Sequence, residues 1–284
     1  MHREELEASV EEASRRYTNV TALYEGAEMF PTLNVGQSFS HEEIRKMFGG
    51  SCLEQLRAIE GDCHDLHFLR STAIHDNRRS SHWAALTTLR DEEFLVDPNI
   101  SPIPVSLREV ERQGQLTIKD VAPMTSETRT QIVIAKAGRD GTYIVDKSKH
   151  RGEQEQALRH ESFDVGELHS NLPNVIADLQ TPLLQKKLLF EIALARAGNQ
   201  QELLRILHDD DGTVLNLSGA GTKISRNRKA FDARFADAAQ VYDTNAEVLQ
   251  TVIHEAWQIY KKLQQHNGEL QKMFAHEVAL TATL

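Results

Sequence analysis

Cysteine is scarce in this sequence: among 284 residues only Cys52 and Cys63 carry thiols. Two thiols cannot make a disulfide framework, so each is expected to be free and to have either a chemical role or a place in the core. Long apolar runs are also missing, and none approaches the roughly 18 residues of a membrane helix, which points to a soluble chain with no membrane partner. Basic charge is in deficit, with 32 Lys and Arg against 42 Asp and Glu and a net charge of -10. That balance argues against nucleic acid, which needs a concentrated basic face, and against an acidic partner. The chain opens on Glu4, Glu5, Glu7, Glu11 and Glu12 rather than on a cationic start and an apolar stretch, so no signal peptide is read and a cytoplasmic location is expected. No internal repeat or low-complexity tract is visible.

What is present is the composition of a folded globular protein, 40% hydrophobic and 26% charged, long enough for a catalytic domain with an appendage. Leu6, Val10 and Ala13 lie along one face of the acidic first fifteen residues and predict a helix. Ser40 to Glu43 has the Ser-x-x-Glu capping-box pattern before Ile44, Met47 and Phe48, and Gly49-Gly50 ends that short helix. A second Ser-x-x-Glu, Ser51 to Glu54, opens a further helix through Leu53, Leu56 and Ile59 to a stop at Gly61. The period then changes. His82 to Leu89 and Glu93 to Asp97 predict a β-hairpin around Arg90 to Glu92, Leu116 to Val121 a strand, and Gln131 to Ala135 with Thr142 to Val145 a second hairpin around Gly138 to Gly141.

Chemistry concentrates at Cys52. One residue past the cap Ser51, it is the first residue of its helix, where unpaired backbone N–H groups and the helix dipole favour thiolate over thiol. Gly49 and Gly50 leave the backbone beside the sulfur open to a substrate carbonyl, with the N–H of Cys52 as an oxyanion donor. A thiolate needs an imidazole, and the imidazole a third group that fixes its tautomer. His82 and Asp97 supply both. A two-residue turn would set Asp97 opposite Ala84 and make it a diagonal neighbour of His82, whereas an odd turn would send it to the other face. Cys63 is read as a core residue.

Phe48-Gly49-Gly50-Ser51-Cys52-Leu53-Glu54 resembles the motif Arg-Gly-Gly-x-Cys-x-Glu of the arylamine N-acetyltransferases, with Phe48 where the motif has arginine. Ser81 to Leu86 is similar to that family's histidine strand and Phe94 to Asp97 to its aspartate strand. His82-Trp83 and Asp97-Pro98 resemble transglutaminases as well, within the same papain-related superfamily. The resemblance covers about residues 35 to 105. It implies an α+β, papain-like or transglutaminase-like core, a catalytic helix plus an antiparallel sheet. It also implies a triad of Cys52, His82 and Asp97, with Gly50, Ser51 and Asn99 as oxyanion or substrate-binding residues.

The implied activity is transfer of an acyl group from a thioester to an amine through an acyl-cysteine. No tightly bound cofactor is expected; the donor would be an acyl thioester of coenzyme A or of a carrier protein. Amide chemistry on peptides, as a transglutaminase or peptidase, and a non-catalytic binding module on the same fold are the alternatives.

Past the charged stretch Lys147 to Glu161, a boundary near residue 165 divides the catalytic domain, 1–165, from a helical domain, 166–284, expected to pack on or wall the cleft. Helices are predicted from Thr181-Pro182 to about Gly198, over Arg228 to Gln240, and from a cap at Thr244 to about Gln265, the last burying Leu249, Val252, Ala256, Ile259 and Leu263. Cys63, His64, His67 and His75 follow no familiar ligand spacing, so no metal site is expected. Gly219 to Lys223 is not a P-loop and reads as a loop, followed by Arg226, Arg228 and Lys229 as a solvated charged face.

Overall fold

The structure is a computed structural model that describes residues 2–15, 18–30, 33, 35–63, 65–74, 78–119, 129–138, 141–169, 188–195, 201–209, 212–218, 223–224, 233, 236, 239–240, 244–266, 268 and 272. Four helices open the chain: α1 (Arg3–Arg15), α2 (Val20–Met29), α3 (His41–Phe48) and α4 (Cys52–Asp62). Strands β1 (His67–Ala73), β2 (Arg78–Leu89), β3 (Glu92–Val96) and β4 (Val105–Ser106) follow, then α5 (Leu107–Gln113). After α5 come β5 (Gln115–Lys119), β6 (Arg129–Ala137), β7 (Thr142–Arg151) and β8 (Gln154–Asp164). These form one eight-stranded sheet in the order β4-β3-β2-β1-β8-β7-β6-β5, with every neighbouring pair antiparallel. The α+β class read from the sequence is the one observed.

The sheet curls because α5 packs against β3 and β4 near one edge and β5 and β6 at the other. The enclosed face buries Leu69, Ala84, Leu86, Leu95, Val105, Ile132, Ile134, Val145 and Phe163 together with Leu107 and Val110 of α5. The opposite face of β1 to β3 is covered by α1 and α4. There Leu6 and Val10 meet Leu53, Leu56, Ile59, Trp83, Ala85 and Val96. Alternation along β2 divides Ala84 and Leu86 from Trp83 and Ala85, as a two-residue strand period requires.

The predicted helical faces hold. Leu6, Val10 and Ala13 are buried on α1, and Ser40 caps α3 with the full capping box, both reciprocal hydrogen bonds to Glu43 being present. Gly49 closes α3 at φ 73°, a conformation that suits glycine at a helix end. The second capping box is a correction. Ser51 occupies the cap position of α4 but its side chain makes no capping hydrogen bond, and the Glu54 carboxylate pairs with Arg57.

The charged stretch Lys147 to Glu161 forms most of the β7–β8 hairpin, whose second strand pairs onto β1 and joins the two halves of the sheet. The helix predicted from residue 181 to 198 is a second correction. Leu188–Ala195 is β9, paired antiparallel with β10 (Gln201–Asp209), which pairs with β11 (Gly212–Ser218) and then β12 (Lys223–Ile224). An apolar run of that length fits helix and strand equally by period, and the non-local pairing decides it. Thr181 and Pro182 lie outside the described residues. So do most of Gly219 to Lys223 and all of Arg226, Arg228 and Lys229. Between 228 and 240 the described residues Ala233, Ala236, Ala239 and Gln240 are helical.

The helix expected from Thr244, α6 (Ala246–Gln265), is capped by Asn245, whose side chain accepts from the Val248 N–H, rather than by Thr244. All five residues of its expected stripe are buried. They pack with Val20, Leu23, Tyr24 and Ala27 of α2 and Ile44 and Phe48 of α3, so α6 completes a third core with the N-terminal helices. Tyr24 Oη donates to the buried Glu255 of α6 at 2.8 Å, and the Ser38 N–H donates to the other carboxylate oxygen at 2.9 Å. Burial, assisted by that carboxylate, raises the Tyr24 pKa above its ordinary value of 10.

Candidate active site

The β2–β3 hairpin turns at Arg90 and Asp91, both with positive φ, 51° and 63°. Two such residues make the type I′ turn that suits the strand twist. Leu89 then pairs Glu92 and Ala85 pairs Val96, and continuing that register sets Asp97 opposite Ala84. This is the two-residue-turn geometry that makes Asp97 a diagonal neighbour of His82. The register of β2 against β1 also shifts beside His82: Trp83 pairs Arg70 and Arg79 pairs Thr72. Ser80 to His82 therefore face the single residue Ser71. A bulge of this kind re-aims a side chain at the end of a regular ladder.

His82 Nε2 and Asp97 Oδ2 lie 2.6 Å apart, and both side chains are buried, 6% and 2% exposed. The Asp97 carboxylate is held on its other oxygen as well. Oδ1 accepts the backbone N–H of Asn99 at 3.1 Å and of Ile100 at 3.2 Å, while the Asp97 carbonyl accepts from Ile100 and Ser101. The Pro98-Asn99 turn thus fixes the acid by its backbone. The Asn99 carbonyl in turn accepts from Lys147 Nζ at 3.2 Å. The Phe163 ring stands edge-on to the imidazole, with centroids 6.0 Å apart. Lys147 and Phe163 were not singled out from the sequence. They arrive from β7 and β8, Lys147 48 residues from its partner Asn99 and Phe163 further still from His82, and no local pattern marks them.

Cys52 is the first residue of α4 and half-buried. It packs against the cluster that holds Trp83 and Val96, the immediate neighbours of His82 and Asp97. The two glycines before it are anchored from the N-terminal segment: Thr21 Oγ1 donates to the Gly49 carbonyl at 2.6 Å and the Thr18 N–H to the Gly50 carbonyl at 3.1 Å. A Cβ on Gly50 would collide with Cβ and Cγ of the buried Glu54. Gly50 therefore makes room for Glu54 beneath the first turn of α4. Cys63 is buried at 3% exposure, at the C-cap of α4 and 3.7 Å from Thr87 Oγ1, the core position expected of it. His64 and His75 lie outside the described residues.

No protein-family model matches the chain, and no curated protein matches its sequence. Among solved structures, the arylamine N-acetyltransferase from Mycobacterium abscessus aligns with 93% of this chain and 95% of that one, at a TM-score of 0.46 and 11% identity. That is at most a resemblance of overall fold, and it assigns no residue a role. Among the described residues, no helix is long and apolar enough to cross a membrane.

Proposed function

We propose that the chain is a thiol acyltransferase that works through Cys52, His82 and Asp97. The observation that carries the reading is the buried 2.6 Å contact between His82 Nε2 and Asp97 Oδ2, on the hairpin against which the Cys52 helix packs. A carboxylate bonded to one imidazole nitrogen commits the proton to that nitrogen and leaves the other basic. With Nε2–H given to Asp97, Nδ1 is the atom that takes the thiol proton.

The proposed cycle has two halves. Cys52 Sγ loses its proton to His82 Nδ1 and attacks the carbonyl carbon of an acyl thioester; the tetrahedral oxyanion is met by the N–H of Cys52 at the start of α4. The intermediate collapses to acyl-Cys52, and the departing thiolate takes the proton from the imidazolium. An amine then attacks the acyl-cysteine carbonyl, His82 accepts the amine proton, and the amide leaves as the Cys52 thiol is restored. No resident cofactor takes part in this scheme. The donor is a coenzyme A or carrier-protein thioester, and the protein works in the cytoplasm.

Intact mass after incubation with acetyl-coenzyme A and longer acyl thioesters tests the proposal. A gain of one acyl group, lost on adding an arylamine and absent in Cys52→Ser, is the expected result. Peptide cleavage or glutamine cross-linking without acylation would replace it with amide chemistry, and an inert thiol would leave a binding module.

A further inference from the structure

A second set of donors converges where α2, α3 and the first turn of α4 meet. Glu25 of α2, His41 at the start of α3 and Glu54, two residues after Cys52, each offer one ligand atom, and these atoms all lie within 4.8 Å of one another. His41 Nε2 is 3.6 Å from Glu25 Oε2. The Glu54 side chain is 1% exposed. His41 Nε2 and Glu54 Oε2 are both buried, and neither makes a hydrogen bond. Arginines surround the group without closing it: Arg45 Nε stands 3.9 Å from Glu54 Oε2 and Arg57 Nη1 3.9 Å from Glu25 Oε2, beyond hydrogen-bond reach. Arg57 bonds the other oxygen of Glu54. Buried polar atoms are ordinarily satisfied, so the His41 imidazole nitrogen and the Glu54 carboxylate oxygen, buried side by side without a hydrogen bond, leave a place for a cation.

We infer that Glu25, His41 and Glu54 form a site for a divalent transition metal of the zinc class. Zinc bound at about 2.0–2.2 Å in tetrahedral geometry holds its ligand atoms roughly 3.4 Å apart. The His41–Glu25 spacing is close to that value, and rotation of the two glutamate side chains closes the rest. One imidazole and two carboxylates leave a fourth position open. The site also has its outer shell: the His41 backbone N–H donates to Glu28 Oε1 at 2.8 Å, which fixes the start of α3. Arg45 and Arg57, 34% and 25% exposed, have room to swing outward as the ion enters. The bound metal pins α2 and α3 to the first turn of α4. It does not depend on the acyl-transfer reading.

The test uses the full chain, stripped with a chelator and with its accessible thiol alkylated so that Cys52 cannot bind the ion. Titration with Zn2+ is expected to show one saturable equivalent and a chelator-reversible rise in melting temperature. Co2+ should give the visible band of a low-coordinate site. His41→Ala and Glu25→Gln should each weaken binding at least about ten-fold, while His254→Ala on α6 leaves it unchanged. Absence of saturable binding overturns the inference and leaves an ion-pair network; so does binding whose affinity is the same in both variants, which would put the ion elsewhere. If His41→Ala fails to fold, Glu25→Gln decides alone.

Discussion

Replacing Asp97 with asparagine exchanges one carboxylate oxygen for an NH2 group and, on the proposed mechanism, reverses a tautomer. Asp97 Oδ1 is held by the N–H groups of Asn99 and Ile100, so an asparagine keeps its carbonyl oxygen there and turns its amide NH2 toward His82. Two donors cannot share the 2.6 Å contact. The imidazole must shift its proton to Nδ1 so that Nε2 can accept, and Nδ1 then has no lone pair for the Cys52 proton. The equivalent exchange in a serine triad lowers turnover about 10⁴-fold, or about 5.5 kcal/mol of barrier. The fold should survive, since the turn keeps its hydrogen bonds and only one charge-assisted contact, worth about 1.5–3 kcal/mol, is weakened. Single-turnover acylation by p-nitrophenyl acetate, followed by nitrophenolate release, measures the first effect; a urea midpoint measures the second. A folded Asp97→Asn protein acylated within tenfold of the parent rate would refute the assignment of His82 and Asp97.

Iodoacetamide near neutral pH should label half-buried Cys52 at the helix start and spare Cys63, 3% exposed; equal rates in the folded chain would contradict thiolate activation. Asp91→Gly should raise stability by about 1 kcal/mol, because Asp91 sits at φ 63° while the carbonyl that accepts from Arg108 is retained; a lower urea midpoint would contradict this. Tyr24→Phe should lower stability by about 1–3 kcal/mol at neutral pH by leaving Glu255 one donor short. Because the folded Tyr24 pKa is raised, the unfolded chain ionises first. Stability is full below about pH 10 and falls by about 1.4 kcal/mol per pH unit above it, a component absent from Tyr24→Phe if Tyr24 carries it.

By itself the sequence determined what is local. Helix starts and ends are written in short-range chemistry, so Ser40 with Glu43, Gly49 at positive φ and the apolar stripe of α6 are legible without a fold. The His82–Asp97 relation was legible as well, because a tight hairpin makes register a matter of counting: two turn residues leave the pair diagonal, and an odd number separates them. What pairs or packs over long sequence distances was not. Leu188–Ala195 has the composition of a helix and becomes a strand because Gln201–Asp209 offers it a ladder. Nothing in the charged run from Lys147 to Glu161 marks it as the β7–β8 hairpin, whose strands bring Lys147 and Phe163 to the turn and ring of the His82–Asp97 pair. Glu25, His41 and Glu54 follow no ligand spacing at all. Their convergence was decided by three helices packing at a junction, which brings residues 25, 41 and 54 within 4.8 Å of one another.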